Sequence, residues 1–237
     1  MQTTTRYNLV AAEELLLVGG PGVASQAATI AALLPGNLSA AASLVCDGCV
    51  LLDQPPLVPV SAARPCSSVL DCPPVEALKK GWALWGAVAP PSCAHAASAS
   101  DAYRCLLAPA LLPSVPRSMP LLVQHPLYDA TQLRMLRAWP LTNSSAPATT
   151  AYVRAFGESV RAALRAERFA FGAGCQTPYA YTNSHIAYYY VRINGMRMSG
   201  ALSNAVPEFL RNPGSFRQDA YVDTCSGVGC NPSNCGH

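Results

Sequence analysis

The residues of this chain that could do chemistry fall into three groups: cysteines at short spacings, a few histidines with one well-placed aspartate, and a glycine-rich turn. The cysteine groups are Cys46-x-x-Cys49 and a tail with Cys225, Cys230, Cys235 and His237. Such ligand types bind zinc, although zinc sites usually show two close pairs, and the same residues pair equally well as disulfides. Asp129 follows the apolar run Leu121-Leu122-Val123-Gln124 and precedes Gln132-Leu133. An aspartate in that place caps the helix that follows or holds a buried hydrogen bond. His185 lies among tyrosines and reads as a structural donor, and Tyr188-Tyr189-Tyr190 reads as sheet packing in preference to a sugar-stacking platform. The turn Gly19-Gly20-Pro21-Gly22 precedes a helical stretch but lacks the Lys-Ser/Thr of a phosphate-binding loop and the spacing of a dinucleotide fingerprint, so no cofactor is expected there.

The elements that must position these residues alternate. Residues 14–18 read as a buried strand and 24–34 as the helix after it, stopped at Pro35-Gly36. Residues 44–52 form a second strand-like run. Residues 74–85 fit a helix that opens on proline, with Glu76 early and Lys79-Lys80 later, as the helix dipole favours. Residues 121–124 predict a third buried strand leading to Asp129. Residues 151–168 carry Tyr152, Phe156, Val160, Ala163 and Leu164 on one stripe of an amphipathic helix. Residues 188–198 surround Asn194-Gly195, a hairpin signal. Strands alternating with helices imply an α/β fold with a mostly parallel sheet, whose sites lie at the carboxyl ends of the strands.

A length of 237 residues suits one domain, 1–237, with a sizeable core. Charged residues make up only 12 % and the net charge is +3, which gives no sign of a nucleic-acid partner. The 21 prolines are mostly scattered through connections, arguing for rigid loops. Ten cysteines, an even number, point to an oxidising compartment. Two sequons, at Asn37 and Asn143, fit a secreted glycoprotein. The first residues show no apolar signal region, and no run approaches the roughly 20 apolar residues of a membrane span.

From about Leu15 onward the chain resembles the pectin acetylesterase/Notum family of carboxylesterases. Leu15-Leu16-Leu17-Val18-Gly19-Gly20-Pro21-Gly22 is similar to the family's nucleophile elbow, a strand–turn–helix written Gly-Ser-Ser-Ala-Gly-Gly. Cys46-Asp47-Gly48-Cys49-Val50-Leu51-Leu52-Asp53 looks like Asp-Ser-Gly-Trp-Phe-Leu-Asp. Cys66 to Gly81, then Trp85 and Cys93, resembles a stretch of two cysteines, Ala-Pro-Thr-Glu-Ala-Ile-Arg-Arg-Gly, an aromatic pair and a third cysteine. Tyr128-Asp129-Ala130-Thr131-Gln132-Leu133 matches Phe/Tyr-Asp-x-x-Gln-Leu, Cys175-Gln176-Thr177-Pro178 sits on Cys-x-x-His, and Ser184-His185 matches a later Ser-His. Val222-Asp223-Thr224-Cys225 and Cys230-Asn231-Pro232-Ser233 resemble the cysteine-rich end of the family domain. The resemblance implies an α/β-hydrolase-like domain whose front part is missing, Asp129 as triad acid, no metal, and disulfides for the tail cysteines.

It also implies a defect. The family's serine falls on Pro21 and its histidine on Pro178. A serine hydrolase needs a nucleophile, a base, an acid and oxyanion donors, and only the acid is in place. Proline, held near −65° in φ, cannot occupy the strained apex of an elbow, so the turn is expected to relax around its glycines. The leading expectation is therefore an esterase homologue without activity, retaining a crevice for an acylated glycan or protein. The alternatives are a secreted, disulfide-stapled structural or interaction protein, a piece of an assembly whose sheet a protein partner completes, and an active deacylating esterase with a relocated nucleophile built from Ser25, His125 or His185.

Overall fold

The computed structural model describes residues 12–34, 42–93, 98–139, 146–167, 169–176, 192–194, 196–197, 209–210 and 221–231. Four strands build its sheet: β1 (Leu15–Gly19), β2 (Ala42–Asp47), β3 (Leu121–Gln124) and β4 (Phe169–Phe171). They lie in the order β1-β2-β3-β4 and every pair is parallel, with Leu17 beside Leu44, Leu44 beside Leu121, and Val123 beside Ala170. The α/β class and the parallel sheet expected from the sequence are present, and β3 has the expected bounds.

Alternation along the strands divides the core. Leu44, Cys46, Val123 and Ala170 join a large cluster with Leu111, Leu127, Tyr128, Phe156, Val160 and Leu164. Val45, Leu122 and Phe169 face the other way, onto Phe209, whose ring meets Phe169 edge-to-face at 5.0 Å. A parallel strand buried on both faces must be apolar throughout, which is why these segments read as continuous runs. The helices follow the chain: α1 (Pro21–Ser25), α2 (Ala27–Leu33), α3 (Pro74–Trp85), α4 (Ala108–Leu111), α5 (Ala130–Met135) and α6 (Pro147–Ala166). Helix α3 has the expected bounds, with Pro74 at its start and Gly86 closing it in the left-handed conformation at φ +57.

Three expected elements are redrawn. The helix expected over 24–34 starts earlier, at Pro21, and is interrupted at Gln26. The Ser25 hydroxyl bonds back to the Gly22 carbonyl at 2.8 Å, a local bond that competes with the helical ladder. The strand expected over 44–52 ends at Asp47, because Gly48 turns the chain at φ +77 and a Cys46–Cys49 disulfide folds it back. The helix expected over 151–168 begins at Pro147, another proline at the first helical position, and buries Val153, Phe156, Val160 and Leu164. Gly157 on its buried face lies so close to Tyr128 that a β-carbon would stand 2.2 Å from the ring. The short strand β4 was not legible in three residues of Phe-Ala-Phe. The hairpin around Asn194 is present as antiparallel strands β5 (Arg192–Ile193) and β6 (Met196–Arg197).

Disulfides join Cys46–Cys49, Cys66–Cys72, Cys93–Cys105 and Cys225–Cys230, and Cys175 is also disulfide-bonded. The zinc reading of Cys46-x-x-Cys49 therefore gives way to a disulfide; Cys235 and His237 lie outside the described residues. Both sequons also lie outside them. Among the described residues no helix is long and apolar enough to cross a membrane.

Candidate functional site

The carboxyl ends of β1 and β3 are the two places where the sequence directs attention, and the all-parallel sheet brings both to the same end, with β2 between them. At the end of β1, Gly20 caps α1 with its carbonyl, accepting from Val23 N at 3.0 Å and Ala24 N at 3.3 Å. Pro21 is the first helical residue. No residue from 19 to 22 has a positive φ, so the turn is relaxed, as the fixed φ of proline requires. It closes against β2: a β-carbon on Gly20 would lie 3.5 Å from the Asp47 carbonyl. Pro21 itself is half-buried and presents neither a nucleophile nor a hydrogen-bond donor.

The end of β3 is dense with polar contacts. Asp129 caps α5, its Oδ1 accepting from Thr131 N at 2.8 Å and Gln132 N at 3.4 Å. Its other oxygen lies 3.2 Å from Gln132 Nε2 and 3.6 Å from His125 Nε2. The Gln132 amide is the hub. Its nitrogen donates to the Val50 carbonyl at 2.7 Å and stands 2.9 Å from His125 Nε2, while its oxygen accepts from Leu52 N at 3.2 Å. Asp129, Gln132 and His125 are all buried.

The imidazole is held from both sides: the Val50 N–H donates to its Nδ1 at 3.4 Å, and its Nε2 stands between the Gln132 amide and the Asp129 carboxylate. Burial pushes the His125 pKa below its ordinary 6.5, outweighing the Asp129 carboxylate and the Gly48 carbonyl, which both act to raise it. A neutral imidazole with both nitrogens engaged inside the core is a brace between β3 and the chain at 48–52.

The structure thus brings His125 and Asp129 together and leaves Ser25 out of their network, its hydroxyl spent on Gly22 within α1. His185, Ser184 and Pro178 lie outside the described residues. The sequence did not single out Gln132 as the centre of the cluster. A signal existed: Asp129-x-x-Gln132 has the spacing of a capping box, but the Gln132 side-chain oxygen accepts from Leu52 N, and its nitrogen reaches Val50 and the Asp129 carboxylate.

The long loop that follows β2 is fastened beside this cluster. Arg137, at φ +58, donates to the carbonyls of Pro59, Arg64, Pro65 and Asp71. Tyr152 donates to the Pro55 carbonyl, and its pKa is pushed up to about 12 by burial. Between this loop and α3 runs an open groove of about 720 Å³ lined by Gln54, Pro59, Val60, Glu76 and Lys80; neither Pro21 nor Asp129 reaches it. Among the described residues no cluster of histidines, cysteines and carboxylates could hold a metal ion.

No protein-family model matches the chain. Two curated proteins are similar to it: palmitoleoyl-protein carboxylesterase notum2 of Xenopus laevis, 26 % identical over 173 residues, and palmitoleoyl-protein carboxylesterase NOTUM of Schmidtea mediterranea, 25 % identical over 138 residues. The matches take in 71 % and 58 % of this chain but only 35 % and 25 % of those proteins. Two crystal forms of the Wnt deacylase Notum from Drosophila have the same fold, each with a TM-score of 0.70 and 93 % of this chain covered, at 23 % and 24 % identity. The chain corresponds to 58 % and 59 % of those structures.

Proposed function

Because the chain belongs to the pectin acetylesterase/Notum family, we propose that it is a carboxylesterase homologue without the family's ester hydrolysis, serving as a binding or structural unit. One observation carries this reading: Pro21 starts α1 at the carboxyl end of β1, in a turn with no strained apex. Losing a nucleophile from a hydrolase usually costs orders of magnitude in rate, and an acid that remains does not replace it. The state of Asp129 supports the same conclusion. It stands at the position of the family's acid, yet its oxygens serve a helix cap and the Gln132 amide. The relatives' names carry over a ligand class, an acylated protein. The disulfides support a secretory, oxidising compartment.

The test is to incubate the purified chain with p-nitrophenyl acetate and p-nitrophenyl octanoate, beside Asp129→Ala and a fluorophosphonate probe. The expected result is no turnover and no labelled residue. Turnover abolished by Asp129→Ala, with the probe on a serine, would overturn the reading and establish a relocated nucleophile.

A second reading has its own support. Strand β1 is at the edge of the described sheet, and its Leu16 and Val18 are 38 % and 48 % exposed. An apolar edge without charged residues is a template for another strand. A strand supplied by a partner protein would cover it. Co-expression with the front portion of a Notum relative should give a co-eluting complex that Val18→Lys abolishes; separate elution of the two would rule that partner out.

A further inference from the structure

Helix α3 ends in a projecting apolar tip that the esterase reading does not use. Leu84, Trp85 and Val88 are 77 %, 76 % and 79 % exposed, three of the most exposed large apolar side chains among the described residues, within five positions of one another. The tip is firmly built. Trp85 packs over Gly81, where a β-carbon would stand 2.6 Å from the ring. Gly86 closes the helix in the left-handed conformation, and Ala87 N donates to the Trp82 carbonyl. Beyond Val88, the chain is pinned by the Cys93–Cys105 disulfide.

From this geometry we infer that the tip docks on an anionic membrane surface. Three observations select a lipid surface over a protein partner. First, the tip is convex. Side chains exposed over three-quarters of their surface have no surrounding rim, whereas the anchors of protein interfaces sit within a sealed, flatter patch. Second, the Trp85 indole N–H has no partner among the described residues, the arrangement that suits an aromatic at a headgroup boundary. Third, the charges are ordered along the helix. Lys79 and Lys80 lie four to six positions before Leu84 and Trp85, about 6–9 Å back along the axis at the rise of an α-helix, which is headgroup depth when the tip is inserted. Among the described residues Lys79 makes no ion pair. Lys80 is partly held by the Cys66 carbonyl at 3.1 Å. The acid on this helix, Glu76, is about one turn farther from the tip than the lysines. The tip lies outside the Asp129 cluster, so the inference stands whether or not the chain hydrolyses esters.

The experiment is co-sedimentation of the full chain with sucrose-loaded vesicles of phosphatidylcholine, alone or mixed with phosphatidylserine, with tryptophan emission read in parallel. Binding to the mixed vesicles with a blue shift is expected. Trp85→Gln and Leu84→Gln each replace a solvent-exposed side chain, so folding should persist, which circular dichroism verifies. Each should weaken partitioning by about tenfold or more. Lys79→Gln should weaken it about fivefold, on the anionic vesicles only. Trp85→Phe should still sediment but lose the blue shift. No sedimentation with either lipid would overturn the inference, as would binding unchanged in the Trp85→Gln and Leu84→Gln variants. Lipid-independent self-association abolished by Trp85→Gln would also overturn it, by making the tip a contact between copies.

Discussion

Two strand-to-helix turns at the same edge of one sheet have met opposite fates. The turn after β1 is all backbone: Gly19, Gly20 and Pro21 make a relaxed entry into a short helix, with no side-chain cap. The turn after β3 is crowded with side chains, in which Asp129, Gln132 and His125 bind one another and hold the chain at Val50 and Leu52. The difference shows how far structure alone can hold a polar residue at a strand end. A nucleophile at an elbow is strained and exposed, so replacing it with a residue that fits a relaxed turn releases strain. An acid that also caps a helix and anchors a buried amide cannot be removed without leaving buried groups unpaired.

The sharpest test of this contrast is Gln132→Ala. It strips the Val50 carbonyl and the Leu52 N–H of their partner inside the core and should cost about 3 kcal/mol in urea unfolding, with disulfides kept intact. A loss under about 1 kcal/mol would mean that the network is incidental. Next in size, Asp129→Ala should cost about 1–2 kcal/mol through the lost cap, whereas Asp129→Asn, which keeps an accepting oxygen, should cost less. Equal costs for the two would point to the charge, not the cap.

The third test is pH. His125 has a depressed folded-state pKa, so the unfolded chain takes up the proton first as pH falls. Stability should be full above 6.5 and decline as pH drops below it, by at most about 1.4 kcal/mol per pH unit, until the depressed value is passed. His125→Gln should flatten that part of the profile, and an unchanged slope would assign it to other groups. The smallest effect belongs to the other turn. Pro21→Ser should change stability by less than about 1 kcal/mol and restore no ester hydrolysis by itself. Recovered turnover in that single variant would show that the base is already present.

How much was legible in the sequence can be argued element by element. β3 and α3 were readable because a short apolar run and a proline-initiated helix with its acid early and its lysines later are local signals. The start of α1 was not. Glycine and proline suggest a turn, and only the packing of Gly20 against the Asp47 carbonyl shows that the turn flows directly into a helix. The cap by Asp129 was foreseeable from the apolar run before it, while the hub role of Gln132 was not, because its partners lie about 80 residues away in sequence, at Val50 and Leu52. Burial of His125 was equally invisible, since a histidine after a strand looks the same whether it faces solvent or the core.

The sequence by itself determined the α/β class, the parallel sheet and the presence of proline, with neither hydroxyl nor imidazole, at positions 21 and 178, because these follow from residue type and local periodicity. Only the tertiary structure decided what stands at the two strand ends: a relaxed helix start at one and a closed hydrogen-bond network at the other. Hydrogen bonds between distant segments depend on where the strands bring them, and one sequence pattern is compatible with many such pairings.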